Sequence, residues 1–205
     1  MLAEGIFRIA TPGTEFMHAG DARGGLVAIA RGCAEIAMLE GHPDTRAVHI
    51  VHGGFWAGYK TLLGIPRILS MTARSEVLWG LFPQTMVERL LAGHDLWWRD
   101  ICMLVDGFAD LATTAFIDLT RQDSMARAVG VLLRLGGCRH ADPPPGPVVE
   151  LRISQNDLAA MAVMSRNTLN GIISELADRG LLRIGYRSIL LDNPAGLRAI
   201  VESDD

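Results

Sequence analysis

Apolar positions along residues 1–80 recur in short runs broken by glycine, at Gly13, Gly20, Gly24, Gly25, Gly32, Gly41, Gly53, Gly54, Gly58 and Gly64. The runs predict strands over Gly5–Ala10, Thr14–His18, Leu26–Arg31, Ala34–Leu39, Arg46–Val51, Ile68–Ala73 and Glu76–Leu81. Turns about every 8–12 residues are the signature of a β-sandwich or barrel-like domain. Phe55–Leu63 breaks the alternation and predicts a short helix. After Pro83 the period changes. Gln84–Ala92 fits a short helix, and a long one is expected from an N-cap near Asp95. Its apolar residues Ile101, Leu104, Val105, Phe108, Leu111, Ala112, Ala115, Phe116 and Leu119 alternate in steps of three and four, as in a coiled-coil seam. A helix packed on its own domain gives a similar stripe, but the length of the run favours a homodimer seam.

Asp123 or Ser124 is expected to cap a helix over Met125–Leu135 that Gly136 and Gly137 end. Asp142–Pro147 carries four prolines and reads as a stiff surface loop. Beyond it lies the strongest functional signal. Ser154 can cap a helix with Leu158, Met161 and Ala162 on its apolar face. Ser165 can cap a second with Leu169, Ile172, Ile173 and Leu176 inward, and about three residues separate the two. The small residues Ala159 and Ala162 permit close crossing. This is helix-turn-helix spacing, in which the second helix offers its first turn to the major groove. Gly180 suits the left-handed stop after that helix, and Leu181–Ile184 and Ser188–Leu191 then predict a β-hairpin wing around Gly185-Tyr186-Arg187. Arg183, Tyr186 and Arg187 are expected at the wing tip, where phosphates would lie.

On the second helix Ser165, Arg166, Asn167, Asn170 and Gly171 are expected on the open side. Arg166 suits a bidentate pair to guanine, and Asn167 or Asn170 a pair to adenine or a bond to phosphate. Ser154, Gln155, Ser165 and Thr168 suit caps or phosphate contacts that set orientation. The net charge of −4 does not oppose this reading, because a local basic cluster suffices and Arg166, Arg179, Arg183 and Arg187 fall in one stretch.

Composition excludes several classes. Hydrophobic residues are 49% and charged residues 20% of the 205, enough for two compact units with cores. No run of 18 apolar residues suggests a membrane span, and residues 1–9 lack a secretory signal, so the expected compartment is the cytoplasm. Cys33, Cys102 and Cys138 are odd in number and far apart, against a disulfide framework, a metal cluster or an iron–sulfur centre. No Ser-His-Asp order, paired carboxylates, HExxH or phosphate-binding Gly-Lys motif is present, so no enzyme is expected.

The order of a β domain, a long helix and a winged helix-turn-helix resembles the Crp/Fnr family, relatives of the cyclic-AMP receptor protein. In the C-terminal part the resemblance rests on Ile153–Leu158, Ser165-Arg166-x-Thr168, Leu176 and Gly180-Leu181-Leu182. In the N-terminal part it rests on Phe16-x-x-Ala19-Gly20-Asp21, the Leu26 to Ile36 run with Gly32-Cys33-Ala34-Glu35, and Gly53-Gly54-Phe55-Trp56. It implies an α+β chain: a β-roll effector domain over residues 1–94, resembling the cyclic-nucleotide-binding jelly roll, a dimerisation helix over 95–121 and a winged helix-turn-helix domain over 122–205. It further implies a homodimer on double-stranded DNA, with RNA polymerase as a further partner.

Two departures from the family pattern bear on function. The family's ribose-binding glutamate falls on Gly58, and its Arg-Ser phosphate pair on Arg67 and Ile68, so cyclic AMP is not the expected effector. Gly58, Tyr59, Arg67 and Ile68 are the candidate pocket for an unidentified effector, with no cofactor assigned. Tyr59, Trp56, Trp79, Trp97 and Trp98 either line that pocket or belong to the core. The six histidines, His18, His42, His49, His52, His94 and His140, offer no evident haem ligand pair. The alternative reading is a cyclic-nucleotide-like or haem sensor in which the N-terminal pocket carries the main role. In the helix-turn-helix, Val163 stands where the family has glycine, which predicts either a differently shaped turn or a register shifted by one.

Overall fold

A computed structural model describes residues 4–22, 24–38, 49–93, 96–140 and 149–203. The chain divides into two compact units, residues 1–109 and 110–205, which meet in sequence within a single long helix. The first unit is a β-roll of two four-stranded antiparallel sheets. One sheet has the order β1 (Ile6–Ala10), β8 (Val77–Phe82), β3 (Leu26–Arg31) and β6 (Trp56–Ala57). The other has β2 (Glu15–Met17), β7 (Leu69–Ala73), β4 (Cys33–Met38) and β5 (His49–His52). Alternation sets the inner faces. Ala10, Val27, Ile29, Ala34, Ile36, Met71 and Val77 meet between the sheets, with Phe16 stacked on Trp79 at 5.2 Å. On the outer face of the first sheet Leu26, Ala28 and Phe82 receive α1 (Gln84–Gly93) through Met86, Val87 and Leu91.

The seven expected strands are present, with ends shifted by no more than one residue where both lie among the described residues. The expected strand over Arg46–Val51 is seen as His49–His52, its first residues lying outside the described ones, as do Asp95, His42, His94 and the Asp142–Pro147 loop. The single helix expected over Phe55–Leu63 is instead the two-residue strand β6 followed by a 3-10 helix, Tyr59–Leu63. Gly58 divides them: at φ 92° it sits in the left-handed region, which no continuous helix through Phe55 tolerates.

The long helix is α2, Leu96–Thr120. Its apolar residues fall on two sides. Ile101 packs into the α1 cluster, and Phe108 lies against Phe55 and Tyr59 at 6.4 and 6.0 Å. Leu104, Leu111 and Ala115 are half-buried on the same side. The stripe left exposed is Trp98, Cys102, Val105, Ala109, Ala112, Phe116 and Leu119, an unbroken 4-3-4-3-4-3 repeat, with Phe116 69% exposed.

In the second unit the last turns of α2 are tied to α3 (Ser124–Leu135). Asp118, fully buried, meets Arg134 at 3.4 Å and Arg139 at 3.0 Å, and Gly130 lacks the Cβ that would strike its carboxylate. Burial presses the Arg134 guanidinium below its ordinary value and Asp118 opposes this. Around α3 pack α4 (Gln155–Met161), α5 (Arg166–Asp178), α6 (Pro194–Glu202) and a three-stranded sheet, β10 (Leu182–Gly185), β11 (Ser188–Leu191) and β9 (Val149–Leu151). β9 and α6 were not anticipated. The second had a local signal, an Asn193 cap whose side chain accepts from Gly196 N, followed by Pro194 in the first turn.

Candidate nucleic-acid interface

The helix pair is built by its caps. Asp123, Ser154 and Ser165 each accept a hydrogen bond from the backbone N–H three residues on, at 2.8–3.1 Å. Ser165 Oγ also lies 2.8 Å from Thr168 Oγ1, so both hydroxyls lock the first turn of α5. Leu169, Ile173 and Leu176 are fully buried, and each such side chain stabilises by about 1.5–3 kcal/mol. With that side anchored, Ser165, Arg166, Asn167 and Thr168 face solvent.

The turn between α4 and α5 has a definite form. Met164 N–H reaches Ala159 O and Val163 N–H reaches Ala160 O, the paired bonds of a Schellman motif. Its left-handed position is Val163, at φ 49° and 68% exposed. Neither a reshaped turn nor a shifted register is seen; a β-branched residue takes the left-handed conformation itself. The same two bonds close α3 at Gly137 (φ 66°) and α5 at Gly180 (φ 69°). Arg127 of α3, which no local spacing marks, braces the turn by donating to Ala162 O at 3.0 Å and Arg121 O at 2.6 Å.

The wing brings a second edge to the same surface. A groove of about 300 Å³ is lined by Ser154, Gln155 and Asn156 at the start of α4, Arg166 at the start of α5, and Tyr186 and Arg187 at the wing tip. Tyr186 is 94% exposed, and Arg187 takes a left-handed conformation to close the two-residue turn. Arg183 is not at the tip. It stands opposite Leu190 within the ladder and forks onto Asp192 with bonds of 2.7 and 2.8 Å. That hydrogen bond holds the Asp192 carboxyl below its ordinary value and lifts the guanidinium. Arg179 pairs likewise with Glu175 at 3.6 Å. Of the four clustered arginines, two are neutralised within the chain. Arg166 and Arg187 make no ion pair among the described residues and share the groove. Asn170 is half-buried, with Oδ1 unpartnered, rather than open as expected.

Residues 126–200 match the Crp-like helix-turn-helix domain. The chain is 27% identical over 176 residues to transcriptional regulator SdrP of Thermus thermophilus, covering 85% of this chain and 83% of that protein. It is 29% identical over 192 residues to the HTH-type transcriptional regulator Cmr of Mycobacterium tuberculosis, covering 92% and 73%. The crystal structure of TTHA1359, a CRP/FNR-family transcriptional regulator from Thermus thermophilus, superposes with a TM-score of 0.72 over 98% of this chain and all of that one, at 22% identity. Residues 126–200 thus carry a Crp-like helix-turn-helix domain, and these likenesses support a regulator of the Crp/Fnr type. The chain's architecture of an N-terminal β domain and a C-terminal helix-turn-helix matches that of CRP/FNR-family structures.

Within the β-roll the candidate effector pocket is small. Gly58, Tyr59, Arg67 and Ile68, with Met17, Leu69 and Phe108, enclose about 30 Å³, against the several hundred a nucleotide-sized ligand requires. A Cβ at Gly58 would sit 2.3 Å from Gly25 O, so this backbone has no room for the family's glutamate. Arg67 is buried and engaged within the fold. Its side chain is 6% exposed, donates to Gly25 O at 2.8 Å and meets Asp21 at 3.5 Å, and it lies where a Cβ on Gly24 would be. Thr61 Oγ1, fully buried, donates to Gly58 O at 2.7 Å. The matching arginine thus holds the 24–25 loop. Burial lowers its pKa and Asp21 raises it, and the guanidinium stays charged. Burial also lifts the Tyr59 phenol. Trp56, Trp79 and Trp97 are core-packed, whereas Trp98 is exposed on α2.

Proposed function

We propose that the chain is a homodimeric, sequence-specific regulator that lays α5 in the major groove of double-stranded DNA. The observation that carries this is the groove in which Arg166 and the wing tip converge while the neighbouring arginines are neutralised. Arg166 pairs with a guanine edge and Asn167 reads the adjacent base, with Asn170 contributing through a side-chain turn. Ser154, Gln155, Ser165 and Thr168 set the approach to the backbone, and Arg187 contacts phosphate. Arg183 acts through Asp192 to hold the wing ladder.

The two-fold seam of the dimer is the exposed heptad stripe of α2 from Trp98 to Leu119, not the Ile101–Phe108 side. A dimer places two α5 helices about one DNA turn apart, roughly 34 Å. Recruitment of RNA polymerase from such a site, in the cytoplasm, follows the family's habit. Cyclic AMP is not the effector, and the roll serves the DNA-binding unit rather than acting as a free-standing sensor.

Selection of binding sites from random duplexes tests the reading. An enriched inverted repeat is expected, and recovery of no shared motif would reject it. The seam has an internal reporter, since Cys102 is exposed and Cys33 and Cys138 are buried. Mild oxidation should give a covalent dimer that Cys102→Ser abolishes. A chain that stays single under oxidation and sediments as a monomer would remove the seam.

A further inference from the structure

The roll has a larger opening than the family pocket, at the mouth between its two edge strands. β1 ends one sheet and β2 the other, and a groove of about 540 Å³ lies between them. That volume falls within the range of small-molecule sites, which favour the mouths of β-barrels. Its floor is the Phe16–Trp79 stack, whose rings lie 5.2 Å apart with planes 30° from parallel. Arg8 stands opposite Trp79 in the β1–β8 ladder, so the two side chains share a face. Ala10, two residues further along the same face, is buried in the inter-sheet core, so that face is the inner one. Arg8 is therefore a charge on the inner side of an edge strand, beside an aromatic floor.

Glu15 Oε1 lies 2.9 Å from His18 Nδ1 in a hydrogen bond, and Asp21 meets Arg67 at 3.5 Å. Arg8, exposed, makes no ion pair or hydrogen bond among the described residues. Of the ionisable side chains that line the mouth it alone is without such a partner, and its guanidinium suits a carboxylate in fork geometry. We propose that this mouth is a ligand site for a small aromatic carboxylate, its ring on the Phe16–Trp79 floor and its carboxylate on Arg8. The inference rests on the roll alone and stands whether or not α5 reads DNA.

The test is calorimetric titration of the full chain with 2-naphthoate, beside 2-naphthylmethylammonium as the cation of matching body. The expected result is saturable binding of one naphthoate per chain. Loss of one charge-assisted pair weakens binding about tenfold or more in Arg8→Glu, and the cation binds about tenfold or more weakly than naphthoate. Arg8→Lys keeps the charge without the fork and binds between the native chain and Arg8→Glu. If Arg8→Glu loses its cooperative melt, Arg8→Gln takes its place with the same expected loss. No saturation, naphthoate affinity unchanged in both variants, or equal binding of the cation would each overturn the proposal. Arg8 would then serve only as an inward charge that guards an edge strand.

Discussion

Arg67 and Arg166 divide the molecule's chemistry between its two units. In the roll, the residue matching the family's phosphate-binding arginine is buried and engaged by Gly25 O and Asp21, around glycines that admit no side chain. In the winged helix-turn-helix, Arg166 is exposed, makes no ion pair among the described residues, and opens onto a groove shared with the wing. Both stand at positions that a family pattern marks as functional. A guanidinium already engaged within the fold is unavailable to a ligand, because binding would first have to break those bonds. Chemistry survives where polar heads are held in place by their backbone but left without a partner.

The sharpest way to break this contrast is to remove each arginine. Arg67→Ala leaves Gly25 O short of a donor and opens a hole beneath Gly24, at a cost of about 2–4 kcal/mol in unfolding free energy. Arg166→Ala should change stability by no more than about 0.5 kcal/mol, as an exposed side chain without partners does. Urea unfolding measures both, and equal losses would erase the distinction. A second probe is cyclic AMP. A ligand at a hundred times its Kd would stabilise the chain by about 2.7 kcal/mol, whereas a pocket of about 30 Å³ predicts no movement of Tm at millimolar nucleotide. A clear rise would show that the Gly58–Ile68 region opens.

Smaller effects separate backbone from side chain. Among the Schellman ends at Gly64, Gly137, Val163 and Gly180, only Val163 carries a Cβ in the left-handed position. Relief of about 1–2 kcal/mol of strain, less the entropy of a new glycine, predicts that Val163→Gly stabilises by about 0.5–1 kcal/mol. A destabilised variant would mean that the exposed valine makes contacts outweighing the strain. The least effect is electrostatic. Asp192 is held below its ordinary value by Arg183. Its contribution is present above the unfolded carboxylate's pKa of about 3.9 and is lost as pH falls through the lower folded value. Tm measured from pH 6 to 2 should therefore converge between the native chain and Asp192→Asn at the acid end, and curves that stay parallel throughout would dismiss the pair.

Local signals were legible and distant ones were not. Asp123, Ser154, Ser165 and Gly180 act within three to five residues of themselves, so their roles could be read directly. The paired Asn193 and Pro194 were equally local and announce α6. β6 and β9, two and three residues long, are too short for alternation to mark. The orientation of α2 was not readable. Apolar residues on two sides give overlapping stripes, and only packing decides that Ile101 and Phe108 turn inward while Val105 and Phe116 stay open. The burial of Arg67 depends on the missing Cβ of Gly24, 43 positions away in the chain, and no spacing rule links them. Arg183 was misplaced because the wing turn is only two residues long and Asp192 lies beyond the strand it pairs with.

The central claim is that the first turn of α5 reads base edges while the wing holds phosphate. The direct measurement is fluorescence anisotropy of the selected duplex and a scrambled one across a salt series, for the native chain, Arg166→Ala and Arg187→Ala. The account predicts that Arg166→Ala lowers the preference for the selected duplex by about 1–3 kcal/mol. It predicts that Arg187→Ala weakens both duplexes alike and reduces the salt slope by about one per site. A preference unchanged in Arg166→Ala, with both variants weakening every duplex equally, would contradict it.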